Sequence, residues 1–356
     1  MSVGLTFALH IIPPPTASPT IPVMFEDIFD FDFDDDLDDL GDDYPREPEP
    51  GDAYQRGPVA ALLWGVFLGC SWTWIIGMVF PALLLRDYGL KGWVAFAIPN
   101  VLGAAAMGTV LFKPRWSVDM VRKHAVACHN FSVVTVAYHL FVVSWLFTGL
   151  FGFAAIPLII VAVGVCAGVG TRNRNTAMLY VGLGVLAISL GCFATATQVD
   201  GAWTLVEWSP DAPRLKGNAI WYFLPCSILG FLLCPYLDLT FHRARINATG
   251  KATGPLAFAF GFGVVFFSMI IFSIVYGAQL LPFIQGEEGA ALPTTWLVLL
   301  GIHLTAQAAF TITVHTREEI EDDVTGAVSM PWVLGACGCA IALGFVVQID
   351  DLPTHH

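Results

Sequence analysis

From Pro58 onward, long apolar runs alternate with short polar breaks. A helix needs about 20 mostly apolar residues to cross the hydrocarbon core of a bilayer. The runs predict spanning helices near 58–85, 91–112, 131–150, 152–170, 176–198, 218–241, 255–281, 295–315 and 331–349. Only Phe151 and its neighbours separate the third from the fourth. The expected fold is all-α: a polytopic transmembrane helix bundle of about nine helices, occupying 58–350.

Composition agrees. Of 356 residues, 56% are hydrophobic and 13% charged, against about 25% charged in an average soluble domain. The net charge of −13 is local. Acids crowd residues 25–52, from Glu26 through Asp34, Asp35 and Asp36 to Asp52, and elsewhere acids and bases nearly balance. The segment 1–57 is therefore expected to be a disordered acidic tail, because such a composition cannot bury a core. Phe25, Phe29, Phe31, Phe33, Leu37 and Leu40 punctuate the acids, which suits a tail that binds a cytoplasmic partner. No Lys or Arg precedes Arg46, and Pro13-Pro14-Pro15 breaks the first stretch, so no signal peptide is expected. The acidic segment begins directly after Met24, a candidate start. Calcium binding there is not expected, since the Gly and terminal Glu of an EF-hand loop are out of place.

Basic residues in short loops set orientation. Lys113, Arg115, Arg122, Lys123, Arg172, Arg174, Arg243, Arg245, Lys251 and Arg317 fall on one side, while Arg86, Lys91, Arg214 and Lys216 fall on the other. The richer side is expected to be cytoplasmic, with the tail inside, the C-terminus outside, and the whole in a cell (inner) membrane. Trp203, Trp208 and Pro210 suit an interfacial hairpin over 199–217, and Trp116 an inner-face anchor. Seven of the eight cysteines lie in apolar runs and behave as small hydrophobes. Cys128, between His124 and His129, lacks the second ligand pair that zinc needs.

Phe67-Leu68-Gly69-Cys70-Ser71 recurs as Phe223-Leu224-Pro225-Cys226-Ser227, and a proline follows each copy, Pro81 and Pro235. The copies sit on the first and sixth spans. They are five helices apart, an odd step, so the two run in opposite senses, as in an inverted-topology repeat. A first repeat of five helices would cover 58–198 and a second of four 218–349. Both spans also look breakable: Gly65, Gly69, Gly77 and Pro81 surround Ser71 and Thr73, while Pro225, Gly230 and Pro235 surround Ser227. Backbone freed at membrane depth is tolerated where it lines a cavity or is covered by protein.

The run Trp74-Ile-Ile-Gly77-Met-Val-Phe-Pro81-Ala82, then Tyr88-Gly89-Leu90 and Gly92-Trp93, with Gly230-Phe-Leu-Leu-Cys234-Pro235-Tyr236 ending in Phe241-His242-Arg243-Ala244, resembles the first and sixth core helices of the sodium/solute symporter family. Leu304-Thr305-Ala306-Gln307 resembles the family's eighth core helix, which supplies paired hydroxyls to Na⁺. Thr305 matches one hydroxyl, and Ala306 stands at the other. The resemblance implies a five-plus-five inverted-repeat transporter fold, here with nine helices instead of ten. It also implies a site between broken helices one and six. Solute binding is then expected at Ser71, Trp72, Thr73, Trp74, Asn100 and Ser227, and ion coupling at Gly69, Thr305 and Asp238.

Asp238 stands out without any resemblance. A carboxylate within a span suggests function, and the competing reading pairs it with Arg243 or Arg245 near the cytoplasmic end. His139 and His303 are read as packing histidines, with proton coupling next and bis-histidine haem, involving His315, third. No nucleotide-binding loop, HExxH or serine elbow occurs where it would work, so enzyme activity and a nucleic-acid partner are not expected. The expected function is secondary transport of a small solute coupled to Na⁺ or H⁺, with lipid and solute as partners and no cofactor beyond Na⁺. The alternative is a non-transporting membrane protein: a haem-bearing redox subunit, or a sensor or scaffold using its acidic tail.

Overall fold

A computed structural model describes residues 56–169, 174–203, 220–248, 250–284, 292–321 and 329–351. The acidic segment and most of the 199–217 hairpin lie outside the described residues. Among the described residues, all regular structure is helical.

Helix α1 (Gly57–Trp72) starts on Pro58, whose missing N–H belongs to the first turn, where no intrahelical partner exists anyway. It stops at Thr73, and α2 (Ile75–Tyr88) resumes after a 63° bend. Side chains take up the carbonyls freed at the break: Thr73 Oγ1 donates to Gly69 O at 2.6 Å and Trp74 Nε1 to Ser71 O at 2.9 Å. Helix α3 (Leu90–Val110) returns across the bundle. The expected loop 113–130 is helical instead: α4 (Pro114–Lys123) is followed after His124 by α5 (Ala125–Val142). Its charges had hidden it. Trp116 and Met120, four residues apart among Arg115, Arg122 and Lys123, form a narrow apolar stripe that suits a membrane interface.

Helix α5 runs on through a π-turn (Val143–Phe147) to Phe151, where Gly152 takes φ +61° before α6 (Ala155–Val169). Helix α7 (Arg174–Ala196) follows. Helix α8 (Ile220–Leu233) gives way to a 3-10 turn at Cys234–Leu237, then to extended Asp238 and to α9 (Leu239–Asn247). Pro235 has no N–H to continue the α-helical ladder. Helix α10 (Thr253–Phe260) passes through a π-turn (Gly261–Phe266) into α11 (Phe267–Ile284), and α12 (Thr294–Glu321) and α13 (Met330–Asp351) complete the set.

Seven of these helical stretches are long and apolar enough to cross a membrane, and the bent α1–α2 pair makes an eighth if it is one span. The chain is a multi-pass membrane protein. Helix α1 packs on α10 and its π-turn, α3 on α8, and α2 on α11. Helix α12 lies against α5, α6 and α7 and is the most enclosed, with 72% of its apolar window buried; α13 lies along α5 with few of its residues buried. Small residues set the α1–α10 spacing: a Cβ on Gly69 would stand 2.8 Å from Gly261 O, and one on Gly261 2.6 Å from Gly65 O. Close backbone approach of this kind is how membrane helices gain dispersion energy without a hydrophobic driving force.

Candidate functional site

The interruptions of α1–α2 and α8–α9 meet. Asp238 is fully buried and caps α9: its Oδ1 accepts from the Thr240 N–H at 2.8 Å and from Thr240 Oγ1 at 2.7 Å. Thr240 Oγ1 also lies 3.2 Å from Ser71 Oγ, at the end of α1. The second carboxylate oxygen, Oδ2, has no hydrogen-bond partner in the protein and faces His315 Nε2 at 3.8 Å. On its other nitrogen, His315 is 3.2 Å from Ser132 Oγ of α5. A polar chain therefore runs from Ser71 through Thr240, Asp238 and His315 to Ser132, joining α1, α9, α12 and α5.

Aromatic rings enclose one end of it. Trp74 packs on His315 (ring centroids 5.9 Å), His139 (6.2 Å) and Phe131 (5.2 Å), and Trp72 packs on Trp74 and Phe241. Trp72 Nε1 donates to Asn100 Oδ1 at 2.6 Å, anchoring the break to α3. His139 Nδ1 lies 2.7 Å from the Thr135 carbonyl. A carbonyl only accepts, so Nδ1 carries the proton and the partnerless Nε2 is a bare acceptor.

The pairing of Asp238 with Arg243 or Arg245 is not made. The polar partners of Asp238 are Thr240 and His315. Arg245 is buried and donates instead to backbone carbonyls at the ends of α3 and α9: Nε to Leu111 O at 2.6 Å, Nη1 to Ala248 O at 3.2 Å, and Nη2 to Phe112 O.

Of the expected solute-binding residues, Ser71, Trp72, Thr73, Trp74 and Asn100 come together at the α1–α2 break. Ser227 lies elsewhere, donating to Ala95 O at 2.8 Å across the α8–α3 contact. Gly69 packs on the π-turn that follows α10, and its carbonyl is taken by Thr73. Thr305 is buried on α12 with a partnerless hydroxyl. At about 100° per residue it points away from its neighbours His303 and Gln307. Sequence reasoning missed Thr240, Ser189 and the Asp238–His315 contact.

A second polar set lies further along α12. His303 Nδ1 is 3.0 Å from Ser189 Oγ of α7, and Gln307 Nε2 donates to the same oxygen at 2.9 Å. Among the described residues no cluster of three or more His, Cys, Asp or Glu suits a metal ion. The chain matches no protein-family model and no curated protein.

Proposed function

We propose that this chain is a secondary transporter of a small solute, coupled to Na⁺ or H⁺, with its site where α1–α2 and α8–α9 break. The observation that carries the reading is Asp238. A fully buried carboxylate with one oxygen unengaged by any hydrogen bond, set at the junction of two interrupted helices, is costly, and such a group within a span points to a functional role. Ser71, Trp72, Thr73, Trp74 and Asn100 line the solute side, and Asp238 is the coupling residue.

Two further features support an inverted repeat. The interruptions fall in the first and sixth spans, the two that share the Phe-Leu-x-Cys-Ser motif. The packing is also mirrored: the first span lies on the seventh (α1 on α10), and the second on the sixth (α3 on α8), as a two-fold axis relating helix n to helix n+5 requires. On this reading the chain crosses an inner membrane nine times, with the acidic tail cytoplasmic.

Purified protein in proteoliposomes should accumulate a labelled solute from a broad panel when a Na⁺ or pH gradient is imposed, and Ser71→Ala and Asp238→Asn should lose that uptake. If no solute moves, and stability is indifferent to Na⁺, pH and the whole panel, the reading fails.

A further inference from the structure

Helix α12 carries His303, Gln307, Thr311 and His315, each four residues after the last, and all four are completely buried. Residues at i and i+4 form one oblique row on a helix surface. Each member presents a polar atom that no protein group satisfies: His303 Nε2, Gln307 Oε1, Thr311 Oγ1 and His315 Nε2. Asp238 Oδ2, 3.8 Å beyond His315, continues the series. A buried polar atom left without a hydrogen bond is costly, so five in one line call for a common explanation.

We propose that this row is a proton path, and that the ion coupled to the site is H⁺, carried through internal water between the His303 level of α12 and Asp238. The inference deepens the transport reading and rests on it for the direction of net movement, but not for the path itself.

The spacing fits water. Four residues rise about 6 Å along a helix; two hydrogen bonds of about 2.8 Å meeting at one water oxygen span about 4.5 Å, and the reach of the side chains supplies the rest. One water per turn, admitted as the packing along α12 breathes, would link each member to the next and satisfy the bare atoms, as buried water does. Part of the route is already joined by protein: Ser189 Oγ bridges His303 and Gln307. Ser132 Oγ holds the far nitrogen of His315, which leaves Nε2 turned to the carboxylate. Each hop forms one O–H or N–H bond as it breaks another, so no further reactant is consumed. Na⁺ fits less well, because Asp238 Oδ2 faces an imidazole nitrogen at 3.8 Å, whereas hard cations take oxygen ligands.

The titratable neighbours leave the exchange to imidazoles and one carboxylate. Tyr276 of α11 faces His303, but its hydroxyl donates to Met78 O. Cys70 of α1 lies beside Gln307 with its thiol on Gly182 O. His139 of α5 neighbours His315, Cys234 lies beside Asp238, and His242 of α9 is held on Tyr236 O. Cys166 of α6 neighbours Arg317 at the end of the row. Thiols, phenols and guanidinium groups ordinarily titrate well above neutrality.

The test is an acid jump outside proteoliposomes of uniformly oriented protein, with protonation of Asp238 followed by the infrared carboxyl stretch. Its loss in Asp238→Asn assigns the band. Gln307→Leu and Thr311→Val keep volume and remove the polar atom. Each should slow the response by about tenfold, which corresponds to a barrier increase of about 1.4 kcal/mol, while Thr195→Ala on the exposed side of α7 should leave it unchanged. Either variant suffices if the other fails to fold. Native rates in both, or a carboxyl band that never answers the jump, would overturn the path. A band that answers through the row in a protein that moves no solute would leave the path standing and remove the transport reading.

Discussion

Replacing Asp238 separates what its carboxylate does for the fold from what it does for ions. In Asp238→Ala, α9 loses its N-cap, the bond from the Thr240 N–H at 2.8 Å, which is worth about 1 kcal/mol. It also loses the acceptor for Thr240 Oγ1 at 2.7 Å, a hydrogen bond to a charged group worth about 1.5–3 kcal/mol. The two share one oxygen and do not add fully, so a loss of about 2–3 kcal/mol is expected. Asp238→Asn keeps an oxygen at the same place, and Asn caps helices as well as Asp does. It also removes the cost of burying a charge. Unfolding in mixed micelles by denaturing detergent should therefore place Asn within about 0.5 kcal/mol of the native protein and Ala well below it. Coupled uptake should be absent in both. The reasoning is refuted if Asn is as unstable as Ala. The carboxylate would then be held mainly by charge, as one partner of a buried ion pair with His315, whose disruption costs about 3–5 kcal/mol.

Gly69→Ala places a Cβ 2.5 Å from Val265 Cγ1 and should destabilise by about 1–3 kcal/mol, whereas Gly263→Ala, with nothing within 4 Å, should be neutral or gain a few tenths, both read by the same unfolding assay. Arg245→Ala leaves two buried carbonyls and one partly buried carbonyl without their donors and should cost about 2–4 kcal/mol, with Arg245→Lys recovering only part of it. Trp72→Phe strips the donor from Asn100 Oδ1 and should cost about 1–3 kcal/mol while lowering uptake through a loosened α1–α2 break.

The apolar runs made the membrane class legible, because twenty consecutive apolar residues have few other solutions. The breaks in the first and sixth spans were legible as regions: Gly65 to Pro81 and Pro225 to Pro235 each hold an interruption at or near them. Their exact points were not. Thr73–Trp74 breaks because its side chains cap the freed carbonyls, and that is a matter of rotamers rather than of residue type. Helix α4 was illegible because four bases in a short stretch look like a loop until Trp116 and Met120 are seen to share a face. The four-residue spacing of His303, Gln307, Thr311 and His315 was readable in principle, as the polar counterpart of an amphipathic stripe. The approach of Asp238 to His315 was not, since α9 and α12 are brought together only by the packing of the intervening helices. Ser227 and Thr305 illustrate the converse. A hydroxyl in an apolar span attracts notice whether or not it faces the site, and these two face a backbone carbonyl of α3 and the far side of α12.

The stretch 125–168 bears on topology. It is an apolar helical stretch of 44 residues, which as one straight helix at 1.5 Å per residue would reach about 66 Å, twice the roughly 30 Å hydrocarbon core. A single crossing would carry apolar residues far into water. Gly152, at φ +61°, ends the first part in a conformation that favours glycine, and α6 starts three residues later and packs back against the π-turn of α5. Two crossings are therefore expected here, and counting α1–α2 as one span brings the total to nine. An odd total puts the two ends of the chain on opposite faces. In cells, a cysteine at position 356 (His356→Cys) should react with a membrane-impermeant maleimide from outside, and a cysteine placed at Ser2 (Ser2→Cys) should react only after permeabilisation. Equal protection of both positions would mean an even number, with 125–168 crossing once, and would remove the five-helix first repeat on which the inverted arrangement depends.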